Sequence, residues 1–245
     1  MQIEVGVRSD RAAATRPFRL LAAVSGIAGV IALGVDFGGA PPLPALDASA
    51  IQVAEVGARY HGILFLGAWL QATGTLLCVV FFGALVRLSA ATTRLAGMLT
   101  MVGAATLLAV AAVEGAFTID WAQAAVNGHA AAALTSYDVM SVFVHVFPIA
   151  PAPLVYLSLG VVLLHAAVLP RLFAYLALVL GAAFAVVGLS GLFTAAAVTL
   201  VVVGSQSLWI LAAAIALLAR TTPNPTAADQ PGIATPPPRA SGSPR

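Results

Sequence analysis

The stretch from Leu172 to Leu218, LFAYLALVLGAAFAVVGLSGLFTAAAVTLVVVGSQSLWILAAAIALL, contains no charged side chain. As one straight helix it would be about 70 Å long, more than twice the roughly 30 Å thickness of a bilayer's hydrocarbon core. In lipid, backbone donors and acceptors must be satisfied within the protein, and a helix does so within one segment. Strands of a membrane barrel would alternate polar and apolar residues, and this run does not. The chain must therefore double back. The best turn lies in Gly191 to Ala197, which gives two crossings, over 172–193 and 197–219.

Working outward, four earlier apolar runs meet the same test of roughly 20 predominantly apolar residues. They predict spans over 18–36, 61–86, 95–117 and 139–169. The first is bounded by Arg19 and Asp36, and the second ends at Arg87. The third begins after Arg94 and fades between Glu114 and Asp120, and the fourth is stopped by Pro170 and Arg171. The fold expected is all-α: a polytopic bundle of six spans.

Orientation follows from arginine placement, because cytoplasmic loops are enriched in Lys and Arg. With six spans, Arg8, Arg11, Arg16, Arg19, Arg87, Arg94, Arg171, Arg220, Arg239 and Arg245 share one side, and Arg59 stands alone on the other. Asp36, Asp47, Glu55, Glu114, Asp120 and Asp138 gather at or beyond the opposite boundary. An odd number of spans would scramble this sorting. Both termini are expected in the cytoplasm.

Composition agrees. The chain is 61% hydrophobic and 8% charged, with a mean hydropathy of +1.02, whereas soluble domains carry about a quarter charged residues. The net charge of +2 comes from arginines scattered singly between apolar runs, with no Lys. No basic patch forms, and nucleic acid is not an expected partner; the lipid bilayer is. Exclusive use of Arg with abundant Ala, Val and Gly resembles GC-rich bacterial genomes, which suggests a bacterial inner membrane. The single cysteine, Cys78, excludes an intrachain disulfide and any multi-cysteine metal site.

Two segments stand apart from the bundle. Residues 1–17 form an Arg-rich cytoplasmic lead into the first span. They resemble a signal peptide, but Pro41 and Pro42 follow the small residues Gly38-Gly39-Ala40 and disfavour cleavage. Residues 220–245 carry seven prolines from Pro223 to Pro244 and read as a disordered cytoplasmic tail. On the outer side, Asp47 to Arg59 suits a short interfacial helix and Trp121 to Ser136 another short element. Tyr60, Trp121 and Tyr137 fall where an aromatic belt belongs.

Ionisable groups within spans are costly and tend to be functional, so they are the place to look for chemistry. Glu114 reads either as a solvated charge at the end of the third span or, one turn deeper, as a carboxyl needing a partner. His145 lies in a run about 45 Å long if straight, interrupted by Pro148, Pro151 and Pro153. Either a kinked helix holds it in the outer leaflet, or the span begins near Pro151 and His145 is interfacial. His61 opens the second span on the same side. His61, Glu114 and His145 are the candidates for an outer catalytic or metal site, with Asp120, Asp138 and His129 in the same zone. Imidazole with carboxylate suits a divalent metal or a proton relay, but no pair has the short spacing of a metal motif. A haem would need His61 with His145. No cofactor is expected.

Near the midplane, Gln71 with Thr73 and Thr75, and Ser205-Gln206-Ser207, either line a small polar pathway or hydrogen-bond between helices. Gly26, Gly29 and Gly34, with Gly181, Gly188 and Gly191, read as close helix contacts.

The Arg-flanked first span, the Pro-containing loop before His61 and the closing Ser207-Leu-Trp-Ile-Leu211 span give a further pointer. This layout resembles a family of small six-helix bacterial membrane proteins of unknown function, over residues 16 to 220. The resemblance implies the fold and brings no site residues. A structural or regulatory membrane component is the function expected, since it requires no visible site. The alternatives are a transporter of a small solute or proton, and a membrane enzyme or metal-binding protein with an outer-face His/carboxylate site.

Overall fold

The computed structural model describes residues 3–45, 47–146, 150–190 and 196–220, with side chains left undescribed at 3–15, 144–145, 196–200 and 202–203. Its eight described helices are α1 (Ile3–Gly39), α2 (Ala50–Arg59), α3 (His61–Leu88), α4 (Leu95–Val126), α5 (Ala130–Val146), α6 (Pro151–Leu164), α7 (Arg171–Ser190) and α8 (Ala196–Ala219). The described residues contain no strand. Four segments are long and apolar enough to cross a bilayer: Arg16–Gly39, His61–Leu88, Leu95–Val126 and Arg171–Ser190. The turn expected in Gly191 to Ala197 falls largely outside the described residues, as do Gly191 and the tail beyond Arg220.

What faces outward is apolar. Along α7, Leu172, Tyr175, Val179 and Val186 are each more than half exposed. In water such a surface would be an aggregation site; in lipid it is the ordinary exterior. Lipid supplies little hydrophobic drive between helices, so the bundle must associate through close packing, and small residues mark where. Gly29 of α1 meets Gly74 and Cys78 of α3: a Cβ added at Gly29 would lie 2.9 Å from both the Gly74 carbonyl oxygen and Cys78 Sγ. Gly103 seats Val155 of α6, Gly181 seats Leu157 of α6, and Gly160 seats Leu178 of α7. Gly34 touches nothing within 4 Å, so the close contact expected there is absent.

The main core lies between these helices and is rich in rings. Tyr156 of α6 stands at its centre, in ring contact with Phe82 of α3, Phe184 of α7 and Trp209 of α8. Two arginines make contacts between helices. The Arg87 guanidinium sits 4.6 Å over the Phe18 ring, and Arg220 Nη1 donates to the carbonyls of Ala167 and Val168, at 3.2 and 2.8 Å.

A second core is built from α2, the start of α3, the end of α4 and α5. Here the sequence expectations need correction. α4 does not fade at Glu114; it runs to Val126, so Trp121 belongs to α4 and not to a separate outer element. Within 139–169, α5 is described to Val146 and α6 begins at Pro151, in keeping with the expected alternative of a span starting near Pro151; a proline at N1 loses no helical hydrogen bond. Of the rings expected in a lipid-facing belt, Trp121 and Tyr137 are buried instead, and Tyr60 is half-buried. Trp121 is 0% exposed and donates from Nε1 to the Val53 carbonyl at 3.1 Å. Tyr137 packs on it at 5.0 Å between ring centroids and donates its hydroxyl to the Pro44 carbonyl. Both rings have polar ends that find backbone acceptors inside this core, which a belt at the headgroups would not provide. The short helix expected over Asp47 to Arg59 does form, as α2, opened by a Ser49–Gln52 capping box.

Two outcomes check this packing. Gly29→Leu is expected to destabilise the detergent-solubilised protein by about 1–3 kcal/mol in unfolding assays, the usual cost of overpacking, whereas Gly34→Leu changes little. Burial, and next the neighbouring Asp138, raise the Tyr137 hydroxyl above the ordinary tyrosine range. Its contribution is therefore full below pH about 10, the unfolded tyrosine value, and is lost as pH rises through the higher folded value. Alkaline titration followed by tryptophan fluorescence should show this loss, and Tyr137→Phe should remove it.

Candidate functional site

The glycine seam between α1 and α3 continues to a polar contact. A Cβ at Gly67 would lie 2.6 Å from Asp36 Oδ1, so the Asp36 carboxyl occupies the space a side chain would fill. Four residues along α3, on the same face of the helix, the Gln71 side chain comes within hydrogen-bonding reach of the Glu114 side chain of α4. Glu114 in turn interacts electrostatically with Asp36. α4 comes close to α3 just there, because Gly115 lies against the backbone of Ala68. Three helices thus bring two carboxyl groups and one carboxamide together. All three side chains are partly buried.

No cationic side chain among the described residues acts on either carboxyl. Two like charges facing each other in an apolar setting repel, and each loses hydration. The pair is best held with a proton or a small monovalent cation between its members. Gln71 suits this role, since its amide can donate to a carboxylate and its carbonyl can accept from a carboxylic acid. Among the described residues no cluster of three or more His, Cys, Asp or Glu could hold a metal ion.

The other expected site residues go elsewhere. His61 is exposed, its Nδ1 3.1 Å from the Ala58 carbonyl oxygen. The His145 side chain lies outside the described residues; its backbone belongs to α5. Phe117 stacks on Phe143 across α4 and α5, and Ser136 donates to Asp120. This antiparallel register brings position 145 level with the Glu114 turn. His129 and Asp138 are exposed. Gln71 lies beside the Glu114 carboxyl. Gln206 is buried, and its Oε1 meets no hydrogen-bond partner among the described residues.

Sequence reasoning missed Asp36, which read as a boundary charge closing the first span. The signal was present in Gly67 and Gln71, a gap and a donor spaced one turn apart, but a single sequence does not say which helix faces them.

A double-mutant cycle checks the Gln71–Glu114 bond. Gln71→Leu leaves a partly buried carboxyl without its donor and should cost about 1–3 kcal/mol. Adding Glu114→Leu should recover most of that loss, because replacing both partners leaves nothing unpaired. No family model, curated protein or solved structure matches this chain.

Proposed function

We propose that this protein is a six-span membrane protein of the bacterial inner membrane, with both termini cytoplasmic, that binds a proton at the Asp36–Glu114 pair as a step in proton or small-solute transport. The observation that carries this reading is the meeting of two carboxyl groups and Gln71 between helices apolar enough to cross a bilayer. Intramembrane carboxyls without cationic partners are costly, and those that persist mark proton relays and ion pathways. A purely structural or regulatory role accounts for the glycine seams but gives no reason for the acids.

Six spans rest on two further features. α8 has 24 residues, long enough to cross. α4 is antiparallel to α5 and α6 in turn, since Phe143 of α5 meets Phe117 and Val155 of α6 meets Gly103. α5 and α6 therefore run in the same direction alongside α4. The arginine contacts at Phe18 and at Ala167–Val168 agree with arginine-rich ends on one side.

Infrared difference spectroscopy tests the proton step. The wild-type protein should show the carbonyl stretch of a protonated carboxyl that titrates with pH, and Glu114→Gln and Asp36→Asn should each remove or shift it. Spectra unchanged in both variants would sink the proton-binding reading. In proteoliposomes, proton uptake driven by an imposed gradient should fall at least tenfold in either variant.

A further inference from the structure

On α3, Gln71, Thr75 and Cys78 are spaced i, i+4 and i+7, so they share one face. At its start Gln71 holds Glu114. At its end Cys78 touches the α1 seam at Gly29 and lies within electrostatic reach of the Tyr156 hydroxyl. Thr75 and Cys78 are 6% and 1% exposed. This polar face runs about 10 Å along the helix from the carboxyl pair toward the middle of the bundle. There it meets a wall of rings: Phe81, Phe82, Tyr156, Phe184 and Trp209 in mutual contact.

Two buried polar atoms belong to residues in or beside this cluster. The Tyr156 hydroxyl, on a side chain 1% exposed, and Gln206 Oε1, on a side chain 6% exposed, have no hydrogen-bond partner among the described residues. Gln206 lies one turn before Trp209, whose ring meets Tyr156 edge-on. The Trp209 N–H cannot serve either atom, because it is committed to the Phe173 carbonyl at 3.1 Å. A buried hydroxyl or carboxamide with no partner is costly. Two so close to one ring cluster call for a small polar occupant that can both donate and accept.

We infer that Tyr156 and Gln206 mark an internal hydration site, reached from the carboxyl pair along Gln71, Thr75 and Cys78 and closed on its far side by the aromatic cluster. The occupant is water, one or a few molecules. The site forms the inner end of a half-path that opens toward Asp36 and Glu114. As a route for protons it rests on the function proposed above; as a hydrated site it stands by itself.

Hydroxyl-radical footprinting of the full chain, with radicals generated from water by a brief X-ray pulse, tests this directly. Trapped water labels adjoining side chains even where bulk solvent cannot reach. Tyr156 is expected to label at least tenfold above Trp121 after correction for intrinsic reactivity, since Trp121 is equally buried but already hydrogen-bonded. Gln206→Leu should lower Tyr156 labelling, while Thr106→Val, a substitution on the exposed face of α4, should leave it unchanged. Labelling of Tyr156 at the Trp121 level overturns the inference, whatever the carboxyl infrared band shows. Strong labelling with no titrating carboxyl band would keep the hydrated site and remove the proton reading alone.

Discussion

The account depends on how closely α1 can approach α3. At Gly29 and Gly74 the two backbones come near enough that a Cβ on either would lie 2.9–3.0 Å from a carbonyl oxygen of the other. In lipid this approach replaces the hydrophobic drive that water would supply, through dispersion contacts between backbones and small side chains. It also fixes the register of the pair. Two turns farther along α1, the same register carries Asp36 onto the gap at Gly67, one turn from Gln71. A larger residue in the seam would move the carboxyl away from its neighbours as well as loosen the bundle.

The two cores divide the work. The aromatic core ties α3, α6, α7 and α8 together through Tyr156, while the second core clamps α2 and α5 on the far end of α4. Glu114 lies on α4 between them. Both cores end in satisfied polar groups at their edges, such as Trp121 on Val53 and Trp209 on Phe173. The Tyr156 hydroxyl, by contrast, is a buried ring donor with no hydrogen-bond partner among the described residues.

Much of the fold was legible because hydrophobic length is a strong signal. The run expected over 61–86 corresponds closely to α3, and the run over 18–36 lies within α1, which begins earlier, at Ile3. The short helix expected over Asp47 to Arg59 forms as α2. Legibility ended where tertiary contacts override local cues. Asp120 reads as the end of a span, yet Ser136 satisfies it within a continuing helix. Trp121 and Tyr137 read as belt residues, yet they are core residues with backbone acceptors. Pro148, Pro151 and Pro153 announced an interruption without saying that α5 would lie along α4. Of the site, Glu114 and Gln71 were visible as polar residues in apolar runs, but their pairing was not. Asp36 was invisible as a partner, because which face of α1 meets α3 is decided by glycines whose neighbours a single sequence does not reveal.

The native Cys78 gives the most direct test of the α1–α3 approach. A Cβ at Gly29 lies 2.9 Å from Cys78 Sγ, about the separation across a disulfide bond, so Gly29→Cys should crosslink to Cys78 under mild oxidation. The account predicts an intramolecular, reducible bond that forms in Gly29→Cys and not in Gly34→Cys. Two free thiols persisting in Gly29→Cys under oxidant would contradict the seam, and with it the placement of Asp36 beside Gln71 and Glu114.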